Sequence, residues 1–106
     1  MKEQPLPEFT RVASTKDIPE GTGKSIRIDG KDIAVFNLDG SFYAIHDICP
    51  HMGGPLGEGA VDGEHVLCPW HGWMFNIKTG AFATNPAAGV DCFKINVDGD
   101  DVYVEL

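Results

Sequence analysis

The chain has 106 residues, with sixteen acidic and eight basic side chains and a net charge of -8. That length accommodates one domain with a modest core, and the acidic balance argues against nucleic acid as a partner, because a phosphate backbone demands clustered Lys and Arg. No run approaches the roughly eighteen apolar residues of a membrane span, the opening MKEQPLPEF lacks the apolar stretch of a secretory signal, and three cysteines suit a reducing compartment, so a cytoplasmic protein with no membrane partner is expected.

In chain order, the first predicted element is a turn of helix near 15–20, where Ser14 or Thr15 can cap and Pro19 and Gly21 limit its length. Short, branched or aromatic, partly alternating segments follow at 25–28, 33–38, 41–45, 66–68, 73–77, 92–97 and 102–106, and each is expected to be a strand. Asp-Gly pairs at 29–30, 39–40, 62–63 and 98–99 punctuate them, as tight hairpins require residues that tolerate positive φ. No window carries a helical stripe of useful length. The composition therefore predicts an all-β, antiparallel domain.

The texture changes between about 47 and 89, where glycines and prolines crowd together. This segment is expected to form a small cofactor-binding lobe on a scaffold built from about 10–46 and 90–106, whose strands pair with one another. Two motifs stand in the lobe: CPHMGGPLGEG with Cys49 and His51, and CPWHGWMF with Cys68 and His71, sixteen residues apart. Each supplies one thiolate and one imidazole. Such a set can hold one zinc ion or divide between two irons. A Cys2His2 zinc site usually spaces two cysteines closely and puts both histidines on a helix; here the pairs are mixed and lie on turns, which favours two irons.

If Cys49 and Cys68 bind one iron and His51 and His71 the other, two ferric ions, two sulfides and two thiolates sum to zero charge. One-electron reduction then leaves -1, whereas an all-cysteine cluster runs from -2 to -3, so mixed ligation raises the potential. The reduced electron is expected on the histidine-bound iron. The imidazole protons couple to it, so the potential is expected to fall as pH rises through the oxidised-state histidine pKa values.

Cys-x-His, the sixteen-residue gap, Cys-x-x-His, Gly-Trp-x-Phe at 72–75 and Thr-Gly at 79–80 together resemble the Rieske [2Fe–2S] domain. The stretch LDGSFYAIHDICPH also resembles the hairpin that leads into the first ligand loop of small Rieske proteins, and the likeness runs from about Val12 to Leu106. The resemblance implies an antiparallel β-sandwich of three sheets with one [2Fe–2S] cluster at the tip of the small lobe, held by Cys49, His51, Cys68 and His71. In the high-potential branch each ligand loop carries an extra cysteine, joined as a disulfide; Gly54 and Trp70 occupy those places here. Trp73 and Phe75 stand where that branch has a serine and a tyrosine hydroxyl near the cluster, and Trp73 offers an indole N–H in place of the serine hydroxyl only if its ring turns inward. Hydrogen bonds to sulfur stabilise the reduced state, so their loss implies a low potential and disfavours quinol oxidation.

Around the ligands, Gly53, Gly54 and Gly72 are expected to let backbone approach the cluster, while Gly57 and Gly59 read equally well as ordinary loop glycines. Pro86, in NPAAG, resembles the third loop that covers the cluster. Trp70 and Trp73 form a docking rim, or else Trp73 packs inward under the loop. His46 and His65 have no cysteine in a shared turn and are not counted as ligands, and Cys92 reads as a packing residue or surface thiol. The resemblance implies a one-electron carrier between a flavin reductase and a ring-hydroxylating terminal oxygenase. The alternatives are the small subunit of an assimilatory NAD(P)H nitrite reductase, partnered by its large subunit, and a non-redox interaction module.

Overall fold

A computed structural model describes residues 9–49, 53–70 and 72–105, apart from the side chains of Pro86 and Ala87. Twelve strands run β1 (Phe9–Ser14), β2 (Thr22–Ile28), β3 (Lys31–Leu38), β4 (Ser41–His46), β5 (Ala60–Asp62), β6 (His65–Leu67), β7 (Met74–Asn76), β8 (Ala81–Phe82), β9 (Asn85–Gly89), β10 (Cys92–Phe93), β11 (Ile95–Asp98) and β12 (Asp101–Glu105). They form three antiparallel sheets, ordered β1-β12-β11, β10-β4-β3-β2 and β5-β6-β7-β8-β9. The only helical pieces among the described residues are 3-10 turns at Thr15–Asp17 and Leu56–Glu58. Ser14 caps the first of these, and Asp17 completes a capping box by accepting from the Ser14 N–H.

The middle sheet is covered on both faces. Along β3, Ile33 and Val35 join one core with Ala13, Ile18, Ala44, Val102 and Val104, while Ala34 and Phe36 join a second with Ile45, Leu56, Val66, Phe75 and Ile77. Successive strand side chains point to opposite faces, so the unbroken apolar run Ile33–Phe36 reads as a strand with a core on each side. All four residues are fully buried. The second core matters most here, because it also contains Cys49 and Cys68.

The four Asp-Gly pairs use two kinds of turn. Between β2 and β3, and between β3 and β4, the pair is itself the two-residue loop, and Asp29, Gly30, Asp39 and Gly40 all have positive φ (52°, 77°, 54° and 89°). These are type I′ geometry. At 62–63 and 98–99 the Asp is the last paired strand residue, and only the Gly, first in the loop, has positive φ (63° in both), the pattern of type II′.

The expected pairing of chain ends is present: β1 lies against β12 and β10 against β4. One expectation is corrected. The segment 92–97 is two strands in different sheets, because Cys92 and Phe93 pair with Ile45 and Ala44 whereas Ile95 pairs with Val104. The chain crosses at Lys94, whose carbonyl accepts from the Glu105 N–H (2.9 Å). Phe93 and Ile95 still pack on the same core, so the crossing leaves the period-two pattern intact. Strands β1, β5, β8 and β9 are additional to those expected.

Candidate metal centre

Cys49 and Cys68 begin two loops with the same backbone wiring. In the first, the Cys49 N–H donates to the Gly54 carbonyl (2.9 Å) and the Gly53 N–H donates back to the Cys49 carbonyl (2.7 Å). In the second, the Cys68 N–H donates to Trp73 (2.7 Å) and the Gly72 N–H to Cys68 (2.9 Å). Each loop thus closes through bonds from the cysteine to the fourth and fifth residues after it. The fourth is a glycine with positive φ in both, 81° at Gly53 and 78° at Gly72. A Cβ would meet only Ile48 at 4.0 Å at Gly53, and nothing within 4 Å at Gly72. The positive φ is by itself a reason for glycine at both positions.

Gly54 is required by space. Its φ is not in the left-handed region, but a Cβ there would lie 2.7 Å from Cys68 Sγ and 3.1 Å from Trp70 Cγ. The first loop therefore meets the second at a bare backbone, beside a ligand-type sulfur. Gly57 and Gly59 serve the frame and not the cysteines. A Cβ at Gly57 would meet the Ser25 N at 2.6 Å, and one at Gly59 would collide with the Leu67 carbonyl oxygen.

The loops stand on different foundations. The second is the end of the β6–β7 hairpin, whose ladder runs His65–Asn76, Val66–Phe75 and Leu67–Met74 before the Cys68–Trp73 bond. The first follows β4, whose partners β3 and β10 are both in the middle sheet. Beneath it there is one isolated bridge, Ile48–Pro55, and then Asp47, whose carbonyl accepts from the Leu56 N–H (2.7 Å). The Asp47 side chain is buried, and its Oδ1 accepts from the Gly57 N–H (2.7 Å) and the Ser25 hydroxyl (2.9 Å). Burial raises the Asp47 pKa above the usual carboxylate range, and the two hydrogen bonds oppose that rise. In the sequence Asp47 marks only the start of the glycine- and proline-rich segment. Its one local signal is a carboxylate directly after an apolar strand, and its hydroxyl partner lies 22 residues away.

The aromatic residues separate. Trp70 is 60% exposed, and its ring lies beside Gly54, where a Cβ would come within 3.1 Å of Cγ and 3.2 Å of Cδ2. Trp73 packs inward, stacked on Phe82 with ring centroids 4.4 Å apart and an 18° interplanar angle. Phe75 is fully buried and packs tilted against Phe82, with ring centroids 5.4 Å apart. A groove of about 320 Å³ beside the second loop is lined by Gly72, Trp73, Met74, Phe82, Ala83 and Thr84. Pro86 belongs to β9, at the edge of the five-stranded sheet. His46 ends β4, His65 opens β6, and Cys92 is exposed on β10. His51, His71 and the side chain of Pro86 lie outside the described residues.

This donor set fits a mixed-ligand iron–sulfur cluster. Two buried cysteines share one core, each at the start of an equivalent loop, and Gly54 keeps the space beside Cys68 sulfur clear. The second donor type falls within the same loops, at His51 and His71.

The Rieske [2Fe-2S] domain model matches residues 8–94. The 3-phenylpropionate/cinnamic acid dioxygenase ferredoxin subunit of Escherichia coli (strain K12) is 39% identical over 93 residues, covering 85% of this chain and 86% of that protein. The structure of a complex of reduced oxygenase and oxidised ferredoxin in carbazole 1,9a-dioxygenase contains a chain 33% identical, with a TM-score of 0.82, covering 92% of this chain and 93% of that one. An NADH-dependent nitrite reductase small subunit from Mycobacterium tuberculosis, 23% identical, has a TM-score of 0.82 over 91% of this chain and 92% of its own. At that identity the likeness is one of fold. The three-sheet architecture, the paired cysteine loops and these matches lead to one conclusion: the chain belongs to the Rieske [2Fe–2S] domain family.

Proposed function

We propose that this protein is a one-electron carrier serving a ring-hydroxylating oxygenase system, with Cys49, His51, Cys68 and His71 holding a Rieske [2Fe–2S] cluster. The observation that carries this reading is the meeting of two equivalently wired cysteine loops in one core. When bound, the cluster supplies a reversible one-electron step. The chain contributes no bond chemistry of its own: Cys49 and Cys68 anchor the site in the core, and the outer part of the lobe is left to a partner. The 39%-identical relative is an oxygenase ferredoxin subunit, which favours an oxygenase and its reductase over a nitrite reductase as partners. A cytoplasmic setting, where thiolates stay reduced, goes with this reading.

The face offered to those partners is not the acidic one. From His65 to Val90 there is no Asp or Glu, and Lys78 is the only Lys or Arg. Residues 48–57 carry no acidic or basic side chain apart from His51. Of the acidic side chains that bound these neutral stretches in the sequence, Asp47 is buried, whereas Glu58, Asp62, Glu64 and Asp91 are exposed. Exposed Trp70 supports an apolar contact there, while the surrounding carboxylates steer a basic-rimmed partner into place. Trp73 and Phe75 carry no hydroxyl, which places the expected potential in the lower part of the family range of roughly -150 to +300 mV.

The test is an anaerobic redox titration of the iron-loaded protein followed by EPR. The expected result is a mixed-ligand [2Fe–2S] signal appearing below about 0 mV. A signal titrating near the top of the range would overturn the low-potential reading, and stoichiometric zinc with no reducible centre would overturn electron transfer.

A further inference from the structure

The geometry points to Asp47 as a positioning residue for the cluster: its buried carboxylate holds the first ligand loop in place, a role that the β6–β7 ladder fills for the second. The inference rests on the reading of Cys49 and Cys68 as cluster ligands, and it assigns a function to a side chain outside the donor set.

Asp47 is the one acidic or basic side chain buried among the described residues. A carboxylate in a protein interior costs free energy unless it is hydrogen-bonded, and this one is bonded to two separate elements. Ser25 lies on β2 in the middle sheet, while Gly57 lies in the 3-10 turn that ends the loop. The backbone of the same residue adds two more ties. Its N–H donates to the Asp32 carbonyl on β3 (3.0 Å), and its carbonyl accepts from Leu56 (2.7 Å). One residue therefore joins the start of the loop, the end of the loop and two strands of the scaffold. Gly57 completes the arrangement, because any side chain there would run into Ser25 and Lys24 and push the turn off β2.

The consequence concerns the distance between the two cysteines. The loops share their internal bonds, so each keeps its own shape without help. Their relative placement is a different matter. The second loop extends a regular hairpin, whereas the first has a single bridge beneath it. Loss of the Asp47 carboxylate leaves the Ser25 hydroxyl and the Gly57 N–H without their acceptor and releases the first loop from β2 while the second stays in place. A cluster held by residues of both loops would then lose its fit at the first loop alone.

The experiment compares the iron-loaded wild type with Asp47→Ala, Asp47→Asn and Ser25→Ala. The readouts are the rate of cluster loss to excess iron chelator, the EPR line shape, and amide hydrogen exchange of the two loops. Asp47→Ala is expected to lose its cluster about tenfold faster or more, as for a lost hydrogen bond to a buried charged group, with a broadened EPR signal. Exchange is expected to quicken at Leu56 and Gly57 and to stay unchanged at Cys68 and Gly72. Asp47→Asn keeps an oxygen with two lone pairs at this position and is expected to recover most of the retention. Ser25→Ala removes one bond and leaves the rest of the frame, so it supplies a measurement even if Asp47→Ala fails to fold; about a threefold acceleration confined to the first loop is expected. Wild-type retention in both Asp47→Ala and Ser25→Ala, or equal acceleration of exchange in both loops, would overturn the proposal. Hydrogen exchange on the iron-free protein keeps this test distinct from the electron-carrier reading: if the wild type binds no reducible cluster, the loop asymmetry still stands or falls on its own.

Discussion

The two cysteine loops are alike within and unlike beneath. Both close through the same pair of backbone bonds and both turn on a positive-φ glycine, yet one is the tip of a hairpin and the other is pinned by a buried carboxylate. Local backbone chemistry can thus be repeated within a domain while its support differs. A ladder holds its loop through neighbours close in sequence, so its support is local. A side-chain latch depends on a sheet that is assembled elsewhere, which makes the first loop the one more exposed to changes in the scaffold.

Substitutions can break this comparison at several depths. The largest effect is expected from Phe75→Ala, which empties a fully buried site on β7. Core phenylalanine truncations cost about 3–5 kcal/mol, and chemical denaturation should show a loss of that size, with hydrogen exchange quickening first in the second loop. An equal response in both loops would erase the proposed difference in their foundations.

Gly54→Ala tests the place where the loops meet. Its Cβ would lie 2.7 Å from Cys68 Sγ, and overpacking of this kind costs about 1–3 kcal/mol. Iron content and visible absorbance should fall more than the far-ultraviolet circular dichroism changes. Undiminished cluster loading would show that the sulfur has room to move.

The paired turn glycines provide a finer comparison. Gly53→Ala and Gly72→Ala each put a Cβ into open space but in a left-handed conformation, at an expected cost of about 1 kcal/mol each. Asn tolerates that conformation better, so Gly72→Asn should cost less than Gly72→Ala. A large difference between the Gly53 and Gly72 alanine variants in thermal melts would mean that the loops are less equivalent than their bonding indicates.

The smallest effect on stability belongs to Trp70→Ser, expected to fall within about 0.5 kcal/mol as for an exposed site. Its potential and EPR signal should match the wild type, while electron transfer to an oxygenase partner slows. Unchanged transfer kinetics at all salt concentrations would remove Trp70 from the docking face.

The elements legible in the chain were those whose pattern is local. Strands β3 and β4 announce themselves through Ile33–Leu38 and the aromatic and branched run after Asp39-Gly40, and the first 3-10 turn through its cap at Ser14 and the limits set by Pro19 and Gly21. Strands β5, β8 and β9 were not legible. Their sequences AVD, AF and NPAAG are short or rich in small residues, and they become strands because neighbours in the sheet supply hydrogen-bond partners. β1 has a weak alternation and finds its partner, β12, only at the far end of the chain. The two-strand nature of 92–97 was hidden for a related reason: changing sheets does not disturb a period-two pattern.

By itself the sequence determined the donor types, their spacing and the turn glycines, because ligation and positive φ are demands on individual residues. Tertiary structure alone decided which glycine serves conformation and which serves space, that Trp70 faces out while Trp73 stacks inward, and that Asp47 is a buried latch. Each of those depends on atoms brought together across tens of residues, as Ser25 meets Asp47 and Gly54 meets Trp70. No local pattern encodes such a meeting, since it exists only after the sheets have packed.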